Sequence, residues 1–128
     1  MANWVENITD KCIISKACRE RFLPLDGDYA QPLIERGVNF SGISDLRAPY
    51  EIARRRPGFH LVILTLGGEG RFRLASLQGV LRPGDLWVVP AGEPQHYRTD
   101  REWRILFFHI ASALPGGTIP FDRPAVKR

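Results

Sequence analysis

Gly84-Asp-Leu-Trp-Val-Val-Pro90-Ala-Gly92-Glu-Pro-Gln-His96-Tyr97 is the stretch on which the reading of this chain turns. It follows Pro83, so it begins in a turn with a mechanism: proline presets φ at the first corner and Gly84 accepts the positive φ of the second. The apolar run from Asp85 to Val89 then reads as a strand, and Pro90-Ala-Gly92 breaks it. A strand ended by proline and glycine re-aims the chain. His96 and Tyr97 therefore arrive at adjacent positions of the next strand, on opposite faces, and one of the two is expected to enter the interior.

Outward from this stretch the same grammar repeats. Short apolar runs separated by turn residues cover Val38 to Ser44, Tyr50 to Arg55, Phe59 to Leu66, Gly70 to Ala75, Gly79 to Leu81, Gln95 to Arg98 and Trp103 to Ala111. Evenly spaced strands joined by tight turns, with no helical crossovers, predict an all-β fold that closes into a jelly roll or barrel and hides its edges. Phe59-His-Leu-Val-Ile-Leu-Thr-Leu66 is apolar on both faces, the pattern of a central strand. On the last strand Trp103, Ile105, Phe107 and His109 share one face.

The two ends read differently. Val5, Ile8, Cys12, Ile13 and Ala17 fall at helix-like spacings, with Thr9 or Asp10 as a possible cap, which predicts a short helix around residues 10 to 21. Residues 1–37 are accordingly expected to form an N-terminal arm, residues 38–113 the barrel, and residues 114–128 an irregular tail, too rich in proline and glycine for a helix or a central strand.

Composition sets the limits. A chain of 128 residues, 44% hydrophobic and 25% charged, is one globular domain that needs no structural metal or disulfide. Cys12 and Cys18 are too few for a disulfide framework and are read as free thiols. Eighteen basic against 14 acidic residues leave a charge of +4, but the basic residues are scattered. Arg54-Arg55-Arg56, the one dense run, is read as a solvated strand face with one inward member. No groove-reading motif, secretory leader or membrane-length apolar stretch is present, so a cytoplasmic protein that does not bind DNA through this chain is expected.

Pro90-Ala-Gly92 followed by His96 resembles the second motif of the cupins, with one extra residue before the histidine and no downstream asparagine. The first motif's paired histidines are not kept: His60 is followed by Val62 where the second would fall. Over a longer span, from about Arg54 to Ile110, the chain resembles the N-terminal effector-binding domain of the AraC family of transcription regulators. The resemblance rests on Arg56-Pro57, Leu64-Thr-Leu-Gly-Gly-Glu-Gly70, Arg82-Pro-Gly-Asp-Leu86, Pro90-Ala-Gly-Glu93, His96-Tyr97 and Arg101-Glu-Trp103.

That resemblance implies a cupin-like jelly-roll barrel acting as a small-molecule sensor, with the family's pocket positions falling on Arg56, Tyr97, Ile105 and Phe107. His96, aimed by its turn, and His109, on the wall with Phe107, complete the expected ligand-binding set. Ile105 and Phe107 stand where the sugar-binding prototype has polar groups, so the resemblance implies a ligand sensor more firmly than a particular sugar, and the effector is expected to be sugar-like or a small organic acid. The family reads DNA through a helix-turn-helix domain that is absent from this chain, and a homodimer is the expected assembly. No catalytic residue, metal or cofactor is assigned. The alternative is a metal-dependent cupin enzyme using His60, His96 and either Glu69 or His109.

Overall fold

The computed structural model describes residues 7–113 and 123–128. It contains eleven strands: β1 (Lys11–Ile14), β2 (Arg19–Phe22), β3 (Val38–Arg47), β4 (Tyr50–Arg54), β5 (Phe59–Gly68), β6 (Gly70–Leu74), β7 (Gln78–Leu81), β8 (Leu86–Val89), β9 (Gln95–Thr99), β10 (Glu102–Ala111) and β11 (Ala125–Lys127). A 3-10 turn at Asp28–Ala30 leads into the five-residue helix α1 (Gln31–Glu35). The strands form two antiparallel sheets, in the orders β1-β4-β9-β6-β7 and β11-β8-β5-β10-β3-β2. This is the all-β jelly roll that the strand spacing predicts, and all eight strands expected between Val38 and Ala111 are present.

The turns behave as their residues dictate. Gly84 and Gly92 take φ of 92° and 85°, the left-handed conformation that glycine adopts without steric cost. The Pro83-Gly84-Asp85 turn is tied from within: the Asp85 carboxylate accepts the Arg82 backbone N–H at 2.9 Å and the Arg128 guanidinium at 2.6 Å. The turn that aims the central strands is thus held to the end of β11.

Alternation along the strands builds the core. Leu61 and Ile63 on β5, Trp103, Ile105 and Phe107 on β10, Tyr97 on β9, Tyr50 and Ile52 on β4, and Trp87 and Val89 on β8 are all buried in one cluster. β5 lies inside the six-stranded sheet, between β8 and β10, as its two-sided apolar pattern requires. Trp103 donates its Nε1–H to the buried Thr65 hydroxyl at 3.0 Å, so the indole's polar edge is satisfied within the core.

The N-terminal segment departs from expectation. Where a helix is predicted over residues 10 to 21 the chain instead forms β1 and β2, paired to β4 and β3 respectively. Both are edge strands, and all but Glu20 of their residues are exposed. Their apolar spacing mimics a helix, but backbone pairing to two preformed sheets decides their conformation. At the other end Ala125–Lys127 pairs with β8 as an edge strand where an irregular tail is expected; residues 114–122 of that tail lie outside the described residues.

Candidate functional site

Between the two sheets the inward side chains leave a cavity of about 270 Å³, near the small end of the roughly 300–1,000 Å³ usual for ligand sites. Its middle is apolar, walled by Ile52, Leu61, Ile63 and Ile105. Phe22 and Phe40, 51% and 39% exposed, stand at its rim, with their rings 5.0 Å apart and both edge-on or tilted to Phe107.

Arg54 enters this cavity because it continues the inward series Tyr50, Ile52, Arg54 along β4. Its Nη1 donates to Gln95 Oε1 and to the Tyr97 hydroxyl, each at 2.8 Å. The guanidinium lies over the rings of Phe59 and Tyr97, at 5.1 and 5.5 Å from their centroids. Among the described residues no carboxylate pairs with it: both hydrogen bonds are to neutral groups, and both use Nη1. The Nε and Nη2 donors stay available, and an arginine edge of this kind grips a carboxylate through two parallel bonds.

Tyr50, Tyr97 and His109, which line the same cavity, are neutral at physiological pH. Burial, and then the Arg54 charge, push the His109 imidazole down to about 4; the ring stacks on Phe59 at 3.9 Å. Burial raises the phenols of Tyr50 and Tyr97 above the usual tyrosine range. Glu20 on β2 supplies a carboxylate elsewhere on the wall, accepting a hydrogen bond from the buried Ser44 hydroxyl at 3.0 Å.

Four of the six residues expected from sequence line this cavity: Tyr97, Ile105, Phe107 and His109. Two do not. Arg56 is exposed in the loop after β4; the register set by Tyr50 and Ile52 makes Arg54 the inward member of the arginine run. His96 lies on the outer face of β9, with Nε2 2.5 Å from Glu51 Oε2, and its hydrogen bond holds the Glu51 carboxyl below the usual carboxylate range. Of the pair delivered by the Pro90-Gly92 break, Tyr97 is the one that enters the barrel.

Sequence reasoning missed Arg54, Glu20 and Tyr50. The alternation of β4 carried the signal for Arg54 and Tyr50, whereas an inward glutamate on an exposed edge strand carries none. A larger but open groove of about 460 Å³ on the outer face of β6, β7 and β9 is bordered by Arg71, Arg73, His96 and Arg98. It lacks the enclosure and apolar walls of the interior cavity.

The donor set does not fit a cupin metal centre. His60 lies on the face of β5 opposite Leu61, with Nδ1 accepting the Ala91 N–H at 2.9 Å. His96 is outside the barrel, and Glu69 sits in the turn between β5 and β6 beside Arg82. Among the described residues no three His, Cys, Asp or Glu side chains converge to hold an ion.

Two antiparallel sheets enclosing an interior cavity define a cupin-type domain. The chain belongs to the AraC-binding-like domain family, whose model matches residues 35–126. No curated protein sequence matches it. Similar solved structures include YlbA of E. coli (12% identity, 95% of this chain and 49% of that one, TM-score 0.62). A cupin superfamily protein of Desulfitobacterium hafniense matches at 13% identity over 86% of this chain and 89% of its own, with a TM-score of 0.59. A predicted oxalate decarboxylase of Thermotoga maritima matches at 15% identity over 87% and 99%, also at 0.59. At these identities the likeness is one of fold. Among the described residues no helix is long and apolar enough to cross a membrane.

Proposed function

We propose that this chain is the effector-binding domain of a transcription regulator, and that its effector is a small organic anion with an apolar body. The observation that carries the reading is Arg54: a guanidinium in an aromatic and aliphatic cavity, held by neutral partners, with its Nε/Nη2 edge unused. A charge placed in such surroundings is stabilised chiefly by an opposite charge, and in this cavity a ligand carboxylate supplies it. A sugar fits less well, because Ile52, Ile63 and Ile105 offer its hydroxyls no partners. Protonated Tyr97 and neutral His109 leave the positive charge of Arg54 undiluted and frame the same end of the cavity.

Binding a ligand between the sheets favours whichever arrangement of the domain binds it more tightly, and a regulator exploits that difference. In this reading the domain does no chemistry, and it acts on DNA through a helix-turn-helix domain, as part of a homodimer. Thermal unfolding of chelator-treated protein against sugars, linear and aromatic carboxylates and divalent metals tests it. A carboxylate at a hundredfold excess over its Kd is expected to stabilise the fold by about 2.7 kcal/mol, several degrees in Tm, and Arg54→Met removes the shift. Stabilisation by metals alone overturns the reading in favour of a metal-dependent cupin enzyme.

A further inference from the structure

The cavity holds a second charge that the anion reading leaves unused. Glu20 projects into it from β2, opposite Ser44 on β3. Its hydrogen bond comes from a neutral hydroxyl, and among the described residues no cation pairs with it. Phe22, two residues along the same face of β2, packs against Phe40 and Phe107, so aromatic rings flank the cavity from Glu20 toward the level of His109. A carboxylate with aromatic rings further along the same wall is the chemistry that recognises a cationic nitrogen, the carboxylate by a charge-assisted hydrogen bond and the rings by their quadrupoles.

The two charges stand at different levels of the barrel. Glu20 is level with Ser44, which pairs with Ile105. Arg54 is level with Phe59 and the stacked His109. Ile105 and His109 are four residues apart on β10, roughly 13 Å of strand. Between the levels lie Phe107 and Ile63, paired across β10 and β5 and both apolar. Both side chains are long enough to reach inward from these levels, so a ligand that meets both carries its charges at opposite ends of an apolar body.

We propose that Glu20 is a second recognition group of this cavity, and that the ligand class is an amino acid whose ammonium and carboxylate sit at opposite ends of an apolar body. This rests on the assignment of Arg54 as the carboxylate partner, and adds to it the identity of the other end. Glu20 comes from a strand that precedes the matched family region at residues 35–126, so this recognition group belongs to the chain's own N-terminal extension of the sheet.

Three probes of similar length separate the possibilities: hexanoate, which has only the acid; 6-aminohexanoate, with the amine at the far end; and norleucine, its isomer with both charges at one end. Titration calorimetry on the full chain is expected to show 6-aminohexanoate binding roughly tenfold more tightly than either of the others. Glu20→Gln, which keeps the acceptor for Ser44, is expected to abolish that preference by weakening 6-aminohexanoate about tenfold, with hexanoate bound at least as tightly as by the wild type because a like charge has left the cavity. Equal or tighter binding of hexanoate to the wild type, or a preference that survives Glu20→Gln, overturns the role of Glu20 and leaves Arg54 standing. Failure of both hexanoate and 6-aminohexanoate to bind the wild type overturns the two assignments together.

Discussion

Gly70 lies flat against the indole of Trp103, so close that a Cβ on residue 70 would fall inside the van der Waals envelope of the ring. Trp103 has no room to yield, being 1% exposed and tethered through its Nε1–H to Thr65. Gly70→Ala is therefore expected to destabilise the fold by about 2 kcal/mol, as overpacking of a rigid core does. Urea unfolding checks it; an unchanged midpoint would show that β6 can shift away from the ring.

Asp85 joins the Pro83-Gly84 turn to the end of the chain by accepting from the Arg82 N–H and from Arg128. Asp85→Ala leaves the turn amide without its acceptor and Arg128 without its partner. A loss of about 1–3 kcal/mol is expected. Most of it should remain in a variant that also carries Arg128→Ala, since Arg128 is largely solvent-exposed and an exposed pairing is worth little.

His109 makes stability depend on acid. Its folded pKa, about 4, lies below the 6.5 of an ordinary histidine, so in the window between them the unfolded chain takes a proton that the native chain refuses. Its contribution is complete above pH 6.5, falls as the pH drops toward 4, and levels off below. His109→Gln should flatten the pH dependence of the unfolding free energy across that window, with the slopes of the two proteins coinciding above it. A curve of the same slope for both proteins would place the acid sensitivity elsewhere.

His96 and Tyr97 are neighbours on β9 with opposite assignments. His96→Gln is expected to leave hexanoate affinity within about twofold of wild type, because its partner is Glu51 on the outer face. Tyr97→Phe removes an oxygen that orients Arg54 and is expected to weaken the same acid by about tenfold. Calorimetry on the pair of variants decides it. A reversal would mean that the carboxylate is taken on the outer groove rather than inside the barrel.

How far the sequence carries depends on what each residue buries. From Val38 onward the inward positions are apolar and alternate, so the strands, the central place of β5 and the wall formed by Ile105, Phe107 and His109 can all be read from periodicity. β1 and β2 cannot, because nearly all their residues are exposed and their conformation comes from backbone bonds to β4 and β3. The resemblance puts the pocket arginine beside Pro57, at Arg56, whereas the structure obeys the phase set by Tyr50 and Ile52. Glu20 has the weakest signal of all: a charged residue between two arginines reads as solvated surface until β3 is laid beside it.

The placement of β1 and β2 has a mechanical consequence. They are the outermost strands on one flank of the two sheets, β1 on one sheet and β2 on the other, and each contributes to the cavity wall, Cys12 and Ile14 from the first and Glu20 and Phe22 from the second. A molecule held by Arg54 and Glu20 together is a rivet across the seam between the sheets, joining a strand of one to the margin of the other. Its occupancy is then felt as resistance of that seam to opening, and hydrogen exchange at the β2 amides would slow on binding even though no new backbone hydrogen bond has formed.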